Sequence, residues 1–284
     1  MNVALVDGHE IVPVEGDLDE PFRAGSISKP VAALTVIRLA ESGGLSLDWE
    51  VNDQLSSWRL PGGDGITPRH LLSHTAGLGM PFCPGYPAGE PVPSLVDVLG
   101  AVGIEGPAGE FRYSGAGYAL LQLLVEDVTG SSFADVAREL VLEPLGMTRS
   151  TFVQDGGHVY PEQAAAGLWT TAADLGRFVS ELQRGVAGAE QMKAAQVELP
   201  ADGEWAALRS LGIEPPDRFG LGLFLTGDAW FSHLGGAHAH FSGMFGMLDG
   251  EGGAVLATHG QATPAFFETL VALADQHGWR HFRA

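Results

Sequence analysis

Lysine is nearly missing from this chain: Lys29 and Lys193 are the only two in 284 residues. Cysteine is scarcer still. Cys83 stands alone, so no internal disulfide can form and a reducing compartment is acceptable. It sits among Pro81, Pro84 and Pro87 with no sign of activation nearby, and it reads as structural. Basic residues as a class are outnumbered, 15 Lys and Arg against 35 Asp and Glu, for a net charge of −20. Nucleic acid and anionic membrane both need a basic face, so neither is expected as a partner. No apolar run approaches the roughly 18 residues of a membrane span. Residues 1–16 carry neither the basic start nor the apolar stretch of a signal peptide, and a cytoplasmic location is expected. What remains is an ordinary globular composition, 45% hydrophobic, long enough for one large domain or two intimate lobes.

Against that scarcity, the place of Lys29 is informative. It lies in Phe22-Arg23-Ala24-Gly25-Ser26-Ile27-Ser28-Lys29-Pro30, ahead of the apolar run Val31 to Ala40. Gly25 permits a sharp entry, and Pro30 falls early enough that its missing N–H costs little. The run is apolar on nearly every side, which predicts a helix buried inside a larger body and ended by Gly43-Gly44. Buried lysines are rare unless the ammonium has a partner or a task. Ser26 and Lys29, three apart, share one helical face. A serine hydroxyl becomes a nucleophile when an adjacent base takes its proton, and a desolvated lysine can be that base.

The rest of the chain divides by texture. Asn2 to Val6 and Glu10 to Val14 are short β-type runs around Asp7-Gly8, a hairpin signal. Thr67 and Pro68 open a short helix as cap and first residue. Gly79 to Pro93, rich in Pro and Gly, is a long loop suited to walling a pocket. Helices are expected at Tyr118 to Val128, Phe133 to Leu142 and Leu175 to Gln183, the last behind the Thr171 capping signal. From Arg218 the pattern changes to successive strands, Phe219 to Leu225, Trp230 to Leu234, His240 to Leu248 and Ala254 to Thr258, and Pro264 to His277 closes as a helix. Strands at both ends with helices between predict an α+β fold in one domain, residues 1–284. Its sheet would come from 1–50 and 215–284, with a mainly helical lobe over 51–214.

Several segments together resemble the serine β-lactamase and penicillin-binding-protein superfamily, especially its class C-like branch of esterases and peptidases. Besides Ser26 to Lys29, the resemblance rests on Ser42 to Val51, Thr67 to Leu78, Phe111 to Tyr118, Pro144-Leu145-Gly146-Met147, Ala166 to Phe178 and Phe219 to Leu223. These fall in order from about residue 20 to 260. The resemblance implies Ser26 as the acylated nucleophile, Lys29 as its proton partner and Tyr113 as a second general base. It matches the family's third motif to His233-Leu234-Gly235, and places an oxyanion hole at the backbone N–H groups of Ser26 and Gly236. No cofactor and no metal is implied.

Three departures bear on the substrate. Gly115 stands where the family usually has an asparagine that contacts the substrate amide. Leu234 stands where it usually has a hydroxyl for a substrate carboxylate. His233 replaces the commoner lysine, leaving a weaker, pH-dependent cation. The pattern fits a serine hydrolase acting on small carboxylic esters better than a β-lactamase or a D-amino-acid-specific peptidase; a binder or sensor that acylates without turnover is the alternative from another class. His238-Ala239-His240 lacks a third ligand at zinc spacing and reads as a pocket-lining or surface pair. His70 and His74 lack the glutamate of H-E-x-x-H and read as packing or hydrogen-bonding residues. No G-x-S-x-G elbow is present, which argues against an α/β-hydrolase.

Overall fold

The structure is a computed structural model; it describes the chain apart from residues 81, 84, 155, 156 and 280, so Pro81 and Pro84 of the proline-rich loop lie outside the described residues. Ten strands are described: β1 (Asn2–Asp7), β2 (Glu10–Glu15), β3 (Phe22–Arg23), β4 (Trp169–Thr170), β5 (Val197–Glu198), β6 (Arg218–Phe219), β7 (Phe224–Thr226), β8 (Trp230–Ala237), β9 (His240–Met247) and β10 (Gly253–His259). Eight form one antiparallel sheet in the order β2-β1-β10-β9-β8-β7-β6-β5, while β3 and β4 pair separately. The two ends of the chain meet in mid-sheet, where β1 pairs β10 in the register Ala4↔Val255. The expected α+β architecture is the one observed.

The helices are α1 (Ser28–Glu41), α2 (Val51–Gln54), α3 (Pro68–Leu72), α4 (Leu95–Gly100), α5 (Gly115–Thr129), α6 (Phe133–Ala137), α7 (Gln163–Ala166), α8 (Ala172–Gln183), α9 (Ala189–Lys193) and α10 (Pro264–Gln276). Period-2 alternation divides the sheet between two cores. Ala4, Val6 and Val255 join the large cluster with α1, α5 and α8; Val3, Leu5 and Leu256 face Phe266 and Leu270 of α10. None of the helices among the described residues is long and apolar enough to cross a membrane.

Local chemistry explains the boundaries. The hairpin turn of β1 and β2 is Gly8-His9, both at positive φ (52° and 75°), which supplies the backbone twist a two-residue turn needs. Thr67 caps α3 as expected, and the His70 ring completes the box by accepting from Thr67 N–H through Nδ1 at 3.1 Å. The run Phe219 to Leu225, expected as one strand, is instead a tight hairpin of β6 and β7. Gly222, at φ +83°, makes the bend, and a Cβ there would press on Ala33 and the Tyr118 hydroxyl.

α1 is buried from Ser28 to Ile37. Its start is fixed from three sides. Ala24 N–H donates to Leu168 O at 2.9 Å, Leu168 N–H donates to the Ser28 hydroxyl at 2.9 Å, and β8 packs on the turn before the helix.

Candidate active site

Ser26 does not lie in the α-helix itself but in a 3-10 turn, Gly25–Ile27, that leads into it. The turn holds Ser26 half-buried at the surface while Lys29, one turn on, is only 2% exposed. Lys29 Nζ donates to Ser26 Oγ at 3.1 Å and to Ala165 O, at the end of α7, at 2.9 Å. The same nitrogen lies 5.0 Å from the centre of the Tyr113 ring and 5.8 Å from that of Tyr118. Ring faces stabilise a cation without offering it a proton acceptor. The sequence-predicted trio Ser26, Lys29 and Tyr113 is therefore gathered within one small volume, though Tyr113 comes from a segment more than eighty residues away from the other two.

Two glycines make the approach of β8 possible. Gly25 takes φ +53°, and a Cβ there would run into the backbone of Gly236. A Cβ on Gly235 would collide with Ala24 O. This brings Gly236, exposed at the strand's end, against the Ser26 turn. Gly235→Ala is accordingly expected to destabilise the fold by about 2 to 3 kcal/mol, because the backbone on the other side cannot yield; urea unfolding measures this.

His233 and Leu234, adjacent in β8, point to opposite faces. His233 turns inward, 1% exposed, with its ring centre 6.2 Å from that of Tyr113. Leu234 packs on the other face with Phe245, Phe267 and Leu270. The expected pH-dependent cation at 233 is not formed. Burial, reinforced by the Lys29 charge, holds the imidazole down to about 3, so it is neutral at physiological pH. Its Nδ1 lies 2.7 Å from Leu234 O, which makes Nδ1 the protonated nitrogen and leaves Nε2 as a bare acceptor.

Sequence reasoning gave His74 a packing or hydrogen-bonding role; it belongs to this site. It sits at φ 58°, an uncommon backbone state for a non-glycine residue. Its Nδ1 accepts from Ser114 N–H at 3.1 Å, so the proton rests on Nε2. Its ring lies 4.3 Å from Tyr113, which it braces from behind. Burial and the Lys29 charge hold this imidazole well below its ordinary range too. The structure puts His74 just past the end of α3, and its hydrogen bond and ring packing match the expected role; its nearness to Tyr113 has no signal in the spacing of the two residues.

Both histidines are expected to cost stability in acid. Each stays neutral when folded but protonates below about 6.5 when unfolded, so stability is complete above that pH. It falls as pH drops, by about 1.4 kcal/mol per pH unit for each, towards pH 3 for His233. Unfolding free energies at pH 7.5, 6.5 and 5.5 measure the slope, which His233→Gln should flatten.

Gly115 begins α5, and its N–H donates to Met80 O at 2.7 Å. A Cβ there would meet Cys83 Sγ at 2.8 Å. The space an asparagine would use is thus filled by the loop. Burial pushes the Cys83 thiol up to about 12, which agrees with a structural cysteine, although one set beside the site. His238 stacks on His158 with ring centres 3.8 Å apart, and His240 faces Trp169 and His259. Among the described residues no three His, Cys, Asp or Glu side chains are placed to hold a metal ion.

The Beta-lactamase family model matches residues 1–277, and the chain belongs to that family. It is 36% identical over 139 residues to Penicillin-binding protein 4* of Bacillus subtilis (strain 168), covering 45% of this chain and 30% of that one. It is 33% identical over 137 residues to Penicillin-binding protein 4 of Amycolatopsis lactamdurans (46% and 36%), and 35% identical over 160 residues to Esterase EstB of Burkholderia gladioli (48% and 39%). The matches span less than half the length of these relatives. Among solved structures, the octameric penicillin-binding protein homologue from Pyrococcus abyssi superposes with TM-score 0.77 at 23% identity, covering 98% of this chain and 73% of that one. The β-lactamase/D-alanine carboxypeptidase of Yersinia pestis gives 0.75 at 18% identity over 98% and 92%. These two likenesses show the fold.

Proposed function

We propose that this member of the Beta-lactamase family is a serine hydrolase that works through an acyl-enzyme on Ser26, with small carboxylic esters as its substrates. The observation that carries the reading is the 3.1 Å contact of Lys29 Nζ with Ser26 Oγ beside the Tyr113 ring. In the first step Lys29 or Tyr113 takes the Ser26 proton, and Oγ attacks the substrate carbonyl carbon. The backbone N–H groups of Ser26 and Gly236 hold the oxyanion; each such donor is worth roughly 3 kcal/mol in the transition state. The proton passes to the leaving alkoxide, and the ester bond to the alcohol breaks. Water, relieved of a proton by Tyr113, then attacks the acyl carbon, and Ser26 departs with its proton restored.

Preference for an ester over a β-lactam or peptide rests on what surrounds this trio. Gly115 offers no side-chain amide, Leu234 is turned to the other face of the sheet, and neutral His233 supplies no positive charge for a carboxylate. A short-chain p-nitrophenyl ester should have a kcat/KM at least tenfold above that of a chromogenic cephalosporin. Faster cephalosporin turnover would reverse the ranking. Acylation in a single burst with no steady turnover on either would favour a binding or sensing role.

A further inference from the structure

A cavity of about 400 Å³ opens between the proline-rich loop, α4 and the start of α7. It is large enough for a small organic group. Gly79 and Met80 of its wall accept hydrogen bonds from Ser114 and Gly115, which follow Tyr113 in the chain. The wall contains the carboxylates of Asp97, Glu105 and Glu162 together with Tyr86, and no basic side chain lines it among the described residues. Two of the three carboxylates are already engaged. Asp97 accepts from the Ser94 hydroxyl at 2.6 Å and Ser94 N–H at 3.1 Å; Glu105 pairs with Arg112 at 3.4 Å.

Glu162 differs from both. It is only 1% exposed, and its Oε2 meets no hydrogen-bond donor among the described residues. Nor is it spent as a helix cap, because the carbonyl of Glu162, not its side chain, takes the first N–H groups of α7. Burial raises its pKa, while a hydrogen bond from its own backbone N–H and, more weakly, the charge of Lys29 lower it, so the carboxylate lies within the field of Lys29. Even with that backbone hydrogen bond, a buried oxygen without a donor, as Oε2 is, remains costly to maintain. A group that brings both donors and positive charge would relieve that cost.

Resting on the hydrolase reading above, we propose that this cavity receives a primary ammonium group of the substrate, with Glu162 as its counter-ion. The substrate class is thereby narrowed to small esters that carry an amine. An anion is excluded by three carboxylates in one wall, and a neutral group would leave Glu162 with only the Lys29 charge to offset it. A divalent metal would need several oxygens free to converge, and two of the three carboxylates are occupied. The chain's net charge of −20 favours approach of a cation from any side.

Calorimetric binding of n-butylamine and of n-butanol to the whole protein at pH 7.5 separates charge recognition from simple filling of the cavity. Butylamine should bind wild type at least tenfold more tightly than butanol, and Glu162→Gln should bring the two level. Equal binding of amine and alcohol by wild type, or butylamine binding unchanged in folded Glu162→Gln, would overturn the proposal. Ala101→Lys provides a second variant if Glu162→Gln does not fold, since Ala101 is an exposed part of the cavity wall. An added ammonium there should weaken butylamine at least fivefold; unaltered binding would count against the site. Butylamine binding is read without turnover, so loss of ester hydrolysis with amine binding intact strikes the hydrolase reading alone.

Discussion

Ser26→Ala is expected to lower kcat for a p-nitrophenyl ester by a factor on the order of 10⁴ to 10⁶ and to remove the single fluorophosphonate adduct seen by intact mass on the wild-type protein. The substitution deletes one oxygen from a half-buried position and leaves the 3-10 turn, the Ala165 O contact of Lys29 and the packing of β8 in place. Stability should therefore hardly change. An unfolded variant would also lose activity, so the melting temperature must be read beside the rate. No adduct on well-folded wild type would defeat the acyl-enzyme reading outright. An adduct that persists in Ser26→Ala would move the nucleophile elsewhere. Cys83 would be a poor substitute, because burial holds its thiol near 12 and little thiolate exists at neutral pH.

Much of this could be read from the residues in order, for identifiable reasons. The apolar run behind Lys29 allowed only a buried helix, and α1 is buried almost throughout. Strands at both ends of the chain predict a sheet made from the two termini, and β1 does pair with β10. Ser26 and Lys29 are three residues apart, so local geometry alone brings them together. Tyr113 was recoverable only through likeness to a family, since no spacing rule joins it to Lys29 across more than eighty residues. His74, Cys83 and Glu162 were invisible as site residues for the same reason: each is isolated in sequence and reaches the site by a loop or a helix start. The charge of His233 was misjudged because burial in a strand flanked by aromatic rings cannot be inferred from the strand's own letters. Gly115 illustrates the same limit from the other side. Its missing amide was legible, but the thiol and Met80 carbonyl now occupying that space belong to a loop without periodicity.

Lys29→Met separates chemistry from architecture more sharply than any other single change. Methionine fills most of the volume of the lysine stem, so the core around α1 should keep its packing. The variant leaves Ala165 O without its donor, at a cost of about 1 to 3 kcal/mol. It also removes the need to keep an amine 2% exposed, far from bulk water. Removing a buried polar group in favour of an apolar one of like shape is often neutral or stabilising. These opposing effects are of similar size, and the melting temperature should stay within about 3 °C of wild type, a shift worth about 1 kcal/mol at this chain length. Activity faces no such cancellation. Without Nζ, Ser26 Oγ loses its 3.1 Å partner and Tyr113 is left as the remaining candidate base, so kcat/KM should fall by about 10³-fold or more. Fluorophosphonate labelling of Ser26 should slow by a similar factor while the final adduct remains one per chain. A large drop in melting temperature with a matching drop in rate would instead make Lys29 a structural lysine, tied to Ala165 and to the two tyrosine rings alone.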